Sequence, residues 1–249
     1  MKEKIYTIPI NESYDQDAEC PFCYLEKKLE KEAVEYALGA AMMEPDYRII
    51  SNEKGYCNKH FSMMLAMPNK LSLALVLETH LKEVIEKTEK YNEKVNSSSS
   101  GNTGLFRKNK ESLSKFIASE TGKIQETCVI CDKITETLKR YTEVFFYMWE
   151  KDEEFRKKVE NSKGFCLKHF SMLCDNAEKQ LKKPEEFLKT AYNLEIENLK
   201  RINEEVHRFT LKFDYRNKDM EWGTAIDAPV RAIEKLTGFT IAIKEDNNQ

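Results

Sequence analysis

Eight side chains fall into two copies of one pattern. Cys20-Pro21-Phe22-Cys23 is followed by Gly55-Tyr56-Cys57-Asn58-Lys59-His60-Phe61, and Cys128-Val129-Ile130-Cys131 by Gly164-Phe165-Cys166-Leu167-Lys168-His169-Phe170. Three thiolates and one imidazole are a donor set for tetrahedral zinc, and four protein donors leave no coordination position for water. The pattern predicts structural zinc, two ions per chain, one held by Cys20, Cys23, Cys57 and His60 and the other by Cys128, Cys131, Cys166 and His169. It argues against zinc hydrolysis, which needs an open position. Thiol redox chemistry and iron or iron–sulfur binding stay open as alternatives for the same residues. There is no glycine-rich phosphate loop, no Gly-x-Ser-x-Gly and no His-Glu-x-x-His, so no catalytic or organic-cofactor residue is assigned and an enzyme is not expected.

The two copies are in register. Cys20 stands as far from Cys128 as Tyr47-Arg48 does from Phe155-Arg156, and one extra residue before the glycine aligns Cys57 with Cys166 and His60 with His169. The spacing predicts a mainly α, internally duplicated protein whose two repeat units pack about a pseudo-twofold axis, each covering the other's apolar stripe. Two independent lobes on a flexible linker are the alternative. The expected parts are an N-terminal unit at 1–95 with the first zinc site, a linker at 96–104, a C-terminal unit at 105–213 with the second, and a tail at 214–249. The linker reads Asn-Ser-Ser-Ser-Ser-Gly-Asn-Thr-Gly.

Apolar residues at helical spacing place the donors. Leu25, Leu29, Ala33, Tyr36, Ala37, Ala40 and Met43 form one stripe, ended by Pro45, with 46–54 as a connection. A short helix is expected from Cys57 to before Pro68, then others over 69–95 and 105–119. After Cys131, Ile134, Leu138, Tyr141, Phe145, Met148 and Trp149 mark a helix whose aromatic run reads as core. Pro184 suits the first position of a long helix reaching Phe213. In the tail, Asp227 reads as an N-cap, Val230, Ile233 and Leu236 as a stripe, and Gly238 as the stop. Residues 4–10 look extended, with Pro9 suited to an edge strand, and a short β pairing with Phe239–Ile243 is expected. Cys174 and His80 read as packed side chains, His207 matches no repeat position, and the Glu/Lys runs at 26–32 and 151–158 read as solvated faces.

At 249 residues, with 33% charged residues, 8 Gly, 6 Pro and a net charge of −3, the composition favours solvated helices and disfavours a general polyanion binder. No apolar run approaches a membrane span and the first residues lack a signal-peptide core. A cytoplasmic location is therefore expected, where seven cysteines serve as ligands or free thiols rather than disulfides.

Ile5-Tyr6-Thr7-Ile8-Pro9, Cys20-Pro21-Phe22-Cys23, the two Gly-aromatic-Cys-x-x-His-Phe motifs and Phe213-Asp214-Tyr215-Arg216-Asn217 are together similar to a bacterial domain-of-unknown-function family found mostly in anaerobic Gram-positive lineages. The resemblance spans nearly the whole chain and implies no activity. The residues themselves point to a zinc-stabilised, non-enzymatic scaffold or protein-interaction protein with an unknown protein partner. A thiol-based redox or metal sensor is the alternative, and a nucleic-acid-binding regulator a weaker one.

Overall fold

The computed structural model describes residues 3–99 and 113–239, and within them the apolar stripes become helices and no strand forms. The first run comprises α1 (Glu3–Tyr14), α2 (Pro21–Leu38), α3 (Pro45–Lys54), α4 (Asn58–Ala66) and α5 (Lys70–Ser99). The second comprises α6 (Leu113–Gln125), α7 (Val129–Lys151), α8 (Glu153–Glu160), α9 (Leu167–Gln180) and α10 (Pro184–Leu211), and α11 (Ala228–Thr237) follows. Three short 3-10 turns complete the described residues.

Two stretches differ from expectation. Residues 4–10 belong to helix α1, not to an extended arm. Tyr6, Ile10 and Tyr14 recur every four residues, and this packing overrides the β preference of the isoleucines and Pro9's missing N–H. Tyr6 meets Tyr141 edge-on, Ile10 is fully buried, and Tyr14 lies against Phe145 and Phe155. Residues 46–54 form α3, because Pro45, expected only to end the preceding stripe, stands in the first turn of a new helix, while α2 stops earlier, at Leu38. Asp46 in its first turn and Lys54 in its last suit the helix dipole.

The chain divides into two compact units, Met1–Lys28 with Glu136–Gln249, and Leu29–Thr135, which differ from the expected halves at 1–95 and 105–213. The boundaries fall inside α2 and α7. The serine-rich segment does not coincide with a boundary, since α5 continues through Ser99, while residues 100–112 lie outside the described residues. The strand expected at Phe239–Ile243 lies outside them too, apart from Phe239.

The first unit is built on aromatic rings. Phe145 of α7 is fully buried, with Tyr14, Phe22, Phe146, Phe155, Phe165 and Phe187 around it at centroid distances of 5.2 to 6.5 Å. Most of these pairs meet edge to face, the arrangement the ring quadrupoles favour. Phe22 lies between Cys20 and Cys23, and Phe165 precedes Cys166, so the same core anchors both cysteine turns. The second unit buries smaller side chains, among them Ala33, Val34, Ala37, Leu38, Met64, Val76 and Ile130.

Candidate metal centres

Each of the four motif fragments opens a helix. The carbonyls of Cys20, Cys57, Cys128 and Cys166 accept the N–H groups of Tyr24, Phe61, Asp132 and Phe170 at 3.2, 3.0, 3.1 and 2.8 Å. The first cysteine of each fragment thus stands at a helix entrance, with the second donor three residues on, in the first turn and on the same side. The positive end of each helix dipole adjoins the sulfurs and favours thiolate. Gly55 and Gly164 set the approach, with φ of 65° and 75° that side-chain-bearing residues rarely adopt. A methyl group on Gly55 would lie 2.4 Å from the His80 ring. His80 is a packed side chain as expected, with Nδ1 2.7 Å from the Asn52 carbonyl oxygen.

The fragments pair otherwise than the sequence order suggests. Cys20 and Cys23 converge with Cys166 and His169, and Cys57 and His60 with Cys128 and Cys131. Each Cys-x-x-Cys joins the Cys-x-x-His of the other copy, which corrects the expected grouping within each half. The expectation took nearness in sequence for nearness in space, whereas each group lies wholly within one compact unit. In each group the four donor atoms lie within 4.8 Å of one another and can hold a metal ion.

In the first unit, His169 Nδ1 stands 3.5, 3.4 and 3.2 Å from the sulfurs of Cys20, Cys23 and Cys166, and Cys23 Sγ is 3.4 Å from Cys166 Sγ. In the second, His60 Nδ1 is 3.2 Å from Cys57 Sγ, 3.2 Å from Cys128 Sγ and 3.5 Å from Cys131 Sγ, with Cys57 Sγ 3.7 Å from Cys131 Sγ. A hydrogen bond from Val129 N to the Gly55 carbonyl, 3.1 Å, and one from Thr127 Oγ1 to the Lys54 carbonyl, 2.6 Å, join the entrance of α7 to the turn before α4. Pro21 holds the place of Val129 in the other copy and has no N–H to give. There, Phe165 N donates instead to Glu195 Oε2 at 3.2 Å.

Two residues read from sequence as solvated are part of these centres. His60 Nε2 is 3.0 Å from Glu30 Oε1, and His169 Nε2 is 3.4 Å from Glu26 Oε2, near enough for ionic attraction though out of line for a hydrogen bond. Each carboxylate also meets a lysine, Glu30 with Lys59 and Glu26 with Lys168. A carboxylate on Nε2 fixes the ring and leaves Nδ1 facing the sulfurs. The available signal was position, because both lie on α2 just past Cys23, where the matching residues of the second copy are Ile134 and Leu138.

The local charges follow from this layout. Burial pulls His60 down, but Cys128 and Glu30 outweigh it and lift the imidazole to about 10; Cys166, Cys20 and Glu26 likewise lift His169 to about 11. Burial pushes the Cys128 thiol up, yet His60 and the backbone N–H groups of Cys131 and Cys57 bring it down to about 6. Burial and the neighbouring Cys128 and Cys57 push Cys131 up to about 12. Against the cost of burial, His169 and Lys168 hold the Glu26 carboxyl at about 2.

The groups differ in cover. Cys20, Cys23 and Cys166 are 2%, 7% and 0% exposed, whereas Cys57 is half-buried and Cys131 exposed. The end of α11 lies over the first group, where a methyl on Gly238 would stand 3.9 Å from Cys166 Sγ and 4.0 Å from Cys23 Sγ. Helix α11 is held by its polar side. Lys235, fully buried, bonds the Lys163 carbonyl at 2.5 Å, and Arg231 pairs with Glu19 at 3.1 Å and Asp227 at 2.9 Å. Its apolar stripe therefore faces outward, with Val230, Ile233 and Leu236 about half exposed. Cys174 and His207 join neither group.

The family described as a family of unknown function (DUF6062) matches residues 1–243. No curated protein and no solved structure matches the chain.

Proposed function

We propose, for a chain that belongs to this family of unknown function, that both groups hold zinc and that the ions serve architecture rather than catalysis. The observation that carries the reading is the convergence of four protein donors in each group, each imidazole backed by a carboxylate. Zinc–sulfur bonds of about 2.3 Å span a tetrahedral edge of about 3.8 Å, and the sulfur pairs at 3.4 and 3.7 Å come close to it. A filled donor set offers no position for a substrate or an attacking water. Each ion would fasten two helix entrances, α2 to α9 in one unit and α4 to α7 in the other.

The molecule in this reading is a helical scaffold or protein-interaction protein of a reducing cytoplasm. The outward stripe of α11 supports the interaction role, since exposed apolar side chains gathered on one helix face suit a protein partner. A net charge of −3 gives less support to a nucleic-acid partner. No described helix is long and apolar enough to cross a membrane. A sensor role is favoured by one observation, the exposure of Cys131.

Metal analysis of protein purified without added metal tests the proposal. The expected result is about two zinc ions per chain, with loss of helical circular dichroism on strong chelation. Metal-free protein that keeps its helicity and its melting temperature would overturn it.

A further inference from the structure

We infer that the more exposed group is a peroxide-sensitive site, in which Cys131 is oxidised first and then forms a disulfide with Cys57, while the covered group is spared. The inference rests on the metal reading of the same residues. Accessibility separates the two groups. A peroxide molecule can reach the exposed Cys131, and Cys57 beside it is half-buried, whereas the three cysteines of the first group are at most 7% exposed beneath the end of α11. With a metal ion bound all three sulfurs of a group are thiolates, so access decides which of them oxidises first.

Geometry selects the partner. Cys57 Sγ lies 3.7 Å from Cys131 Sγ, near enough to reach bonding distance by small side-chain rotations. Cys128 is 3% exposed, whereas Cys57 is half-buried and so is the more accessible of the two neighbouring sulfurs. The Cys131 thiolate attacks one peroxide oxygen, the O–O bond breaks, and Cys131 becomes a sulfenic acid as hydroxide leaves. The Cys57 thiolate attacks that sulfur, the S–S bond forms, the S–O bond breaks and a second hydroxide leaves. Two electrons pass from the two thiolates to the peroxide, and two protons from solvent complete two waters. The group is left with His60 and Cys128 as donors, too few to retain its ion. A thiol reductant restores both thiolates.

The test is a hydrogen peroxide titration of the full-length, metal-loaded chain, with released zinc read by a chromophoric chelator and disulfides mapped by mass spectrometry. The expected result is release of one ion of the two, together with a Cys57–Cys131 cross-link, and oxidation at least about tenfold faster than in the covered group. Dithiothreitol followed by zinc should reverse it. In Cys57→Ser, Cys131 should stop at a sulfenic acid that dimedone traps. Loss of both ions at one rate, loss of neither, or a Cys128–Cys131 cross-link would overturn the inference while leaving the metal reading intact. Absence of metal from the starting protein would overturn both.

Discussion

Glu26 and Glu30 supply no donor to either group, yet each stands against one of the two imidazoles. Each takes the Nε2 side of a histidine whose Nδ1 meets three sulfurs. Glu26→Gln and Glu30→Gln keep the size of the side chain and remove its charge, so each should weaken zinc at its own group by about 10- to 100-fold. Competition against a chromophoric chelator measures this, and an unchanged affinity would show that the rings are held by other contacts. The eight donors were legible because cysteine and histidine are scarce and their spacing recurs. The two glutamates were not, since a Glu/Lys-rich stretch on a helix has the composition of a solvated face whichever way single members turn. His80 was legible as a packed residue from its place on an apolar stripe, but its role beneath Gly55 depended on a contact between α5 and the turn before α4.

Helices were legible where apolar residues recur at three and four, as in α2 and α7, and where a proline or glycine marks an end, as at Pro184 and Gly238. Helix α1 was obscured because Ile5, Ile8, Ile10 and Pro9 have the local preferences of an edge strand, while its partners Tyr141, Phe145 and Phe155 lie far along the chain. Helix α11 was placed correctly, but its orientation follows from Arg231 and Lys235, whose partners a sequence does not show. At this scale Phe145 is the most consequential side chain. Phe145→Ala should destabilise the first unit by about 3–5 kcal/mol, and the turns of Cys20–Cys23 and Cys166 should loosen with it, because Phe22 and Phe165 pack on the same ring. Thermal melting with zinc-release rates checks both effects, and a loss under about 1 kcal/mol would mean that the surrounding rings close the cavity. The matching residue of the first copy is Ala37, which has no ring to lose.

For the whole molecule the consequential feature is the exchange of motif fragments between the copies. Residues 1–95 contain Cys20, Cys23, Cys57 and His60, a full donor set by composition, but these belong to two different groups. The isolated 1–95 fragment should therefore bind cobalt, an optical substitute for zinc, at least about 100-fold more weakly than the full chain. A tetrahedral cobalt spectrum with full-chain affinity would show that a half can pair its own fragments. The same exchange fixes a timetable for the protein at birth. As the chain leaves the ribosome its first four donors emerge with no finished group to join, and the earliest one completed is that of Cys57, His60, Cys128 and Cys131. The buried group waits for His169, and Cys23 and Cys166 stand 143 positions apart in sequence against 74 for Cys57 and Cys131. Cys20 and Cys23 thus spend the longest time as open thiols during synthesis, although in the finished protein they are among the best concealed.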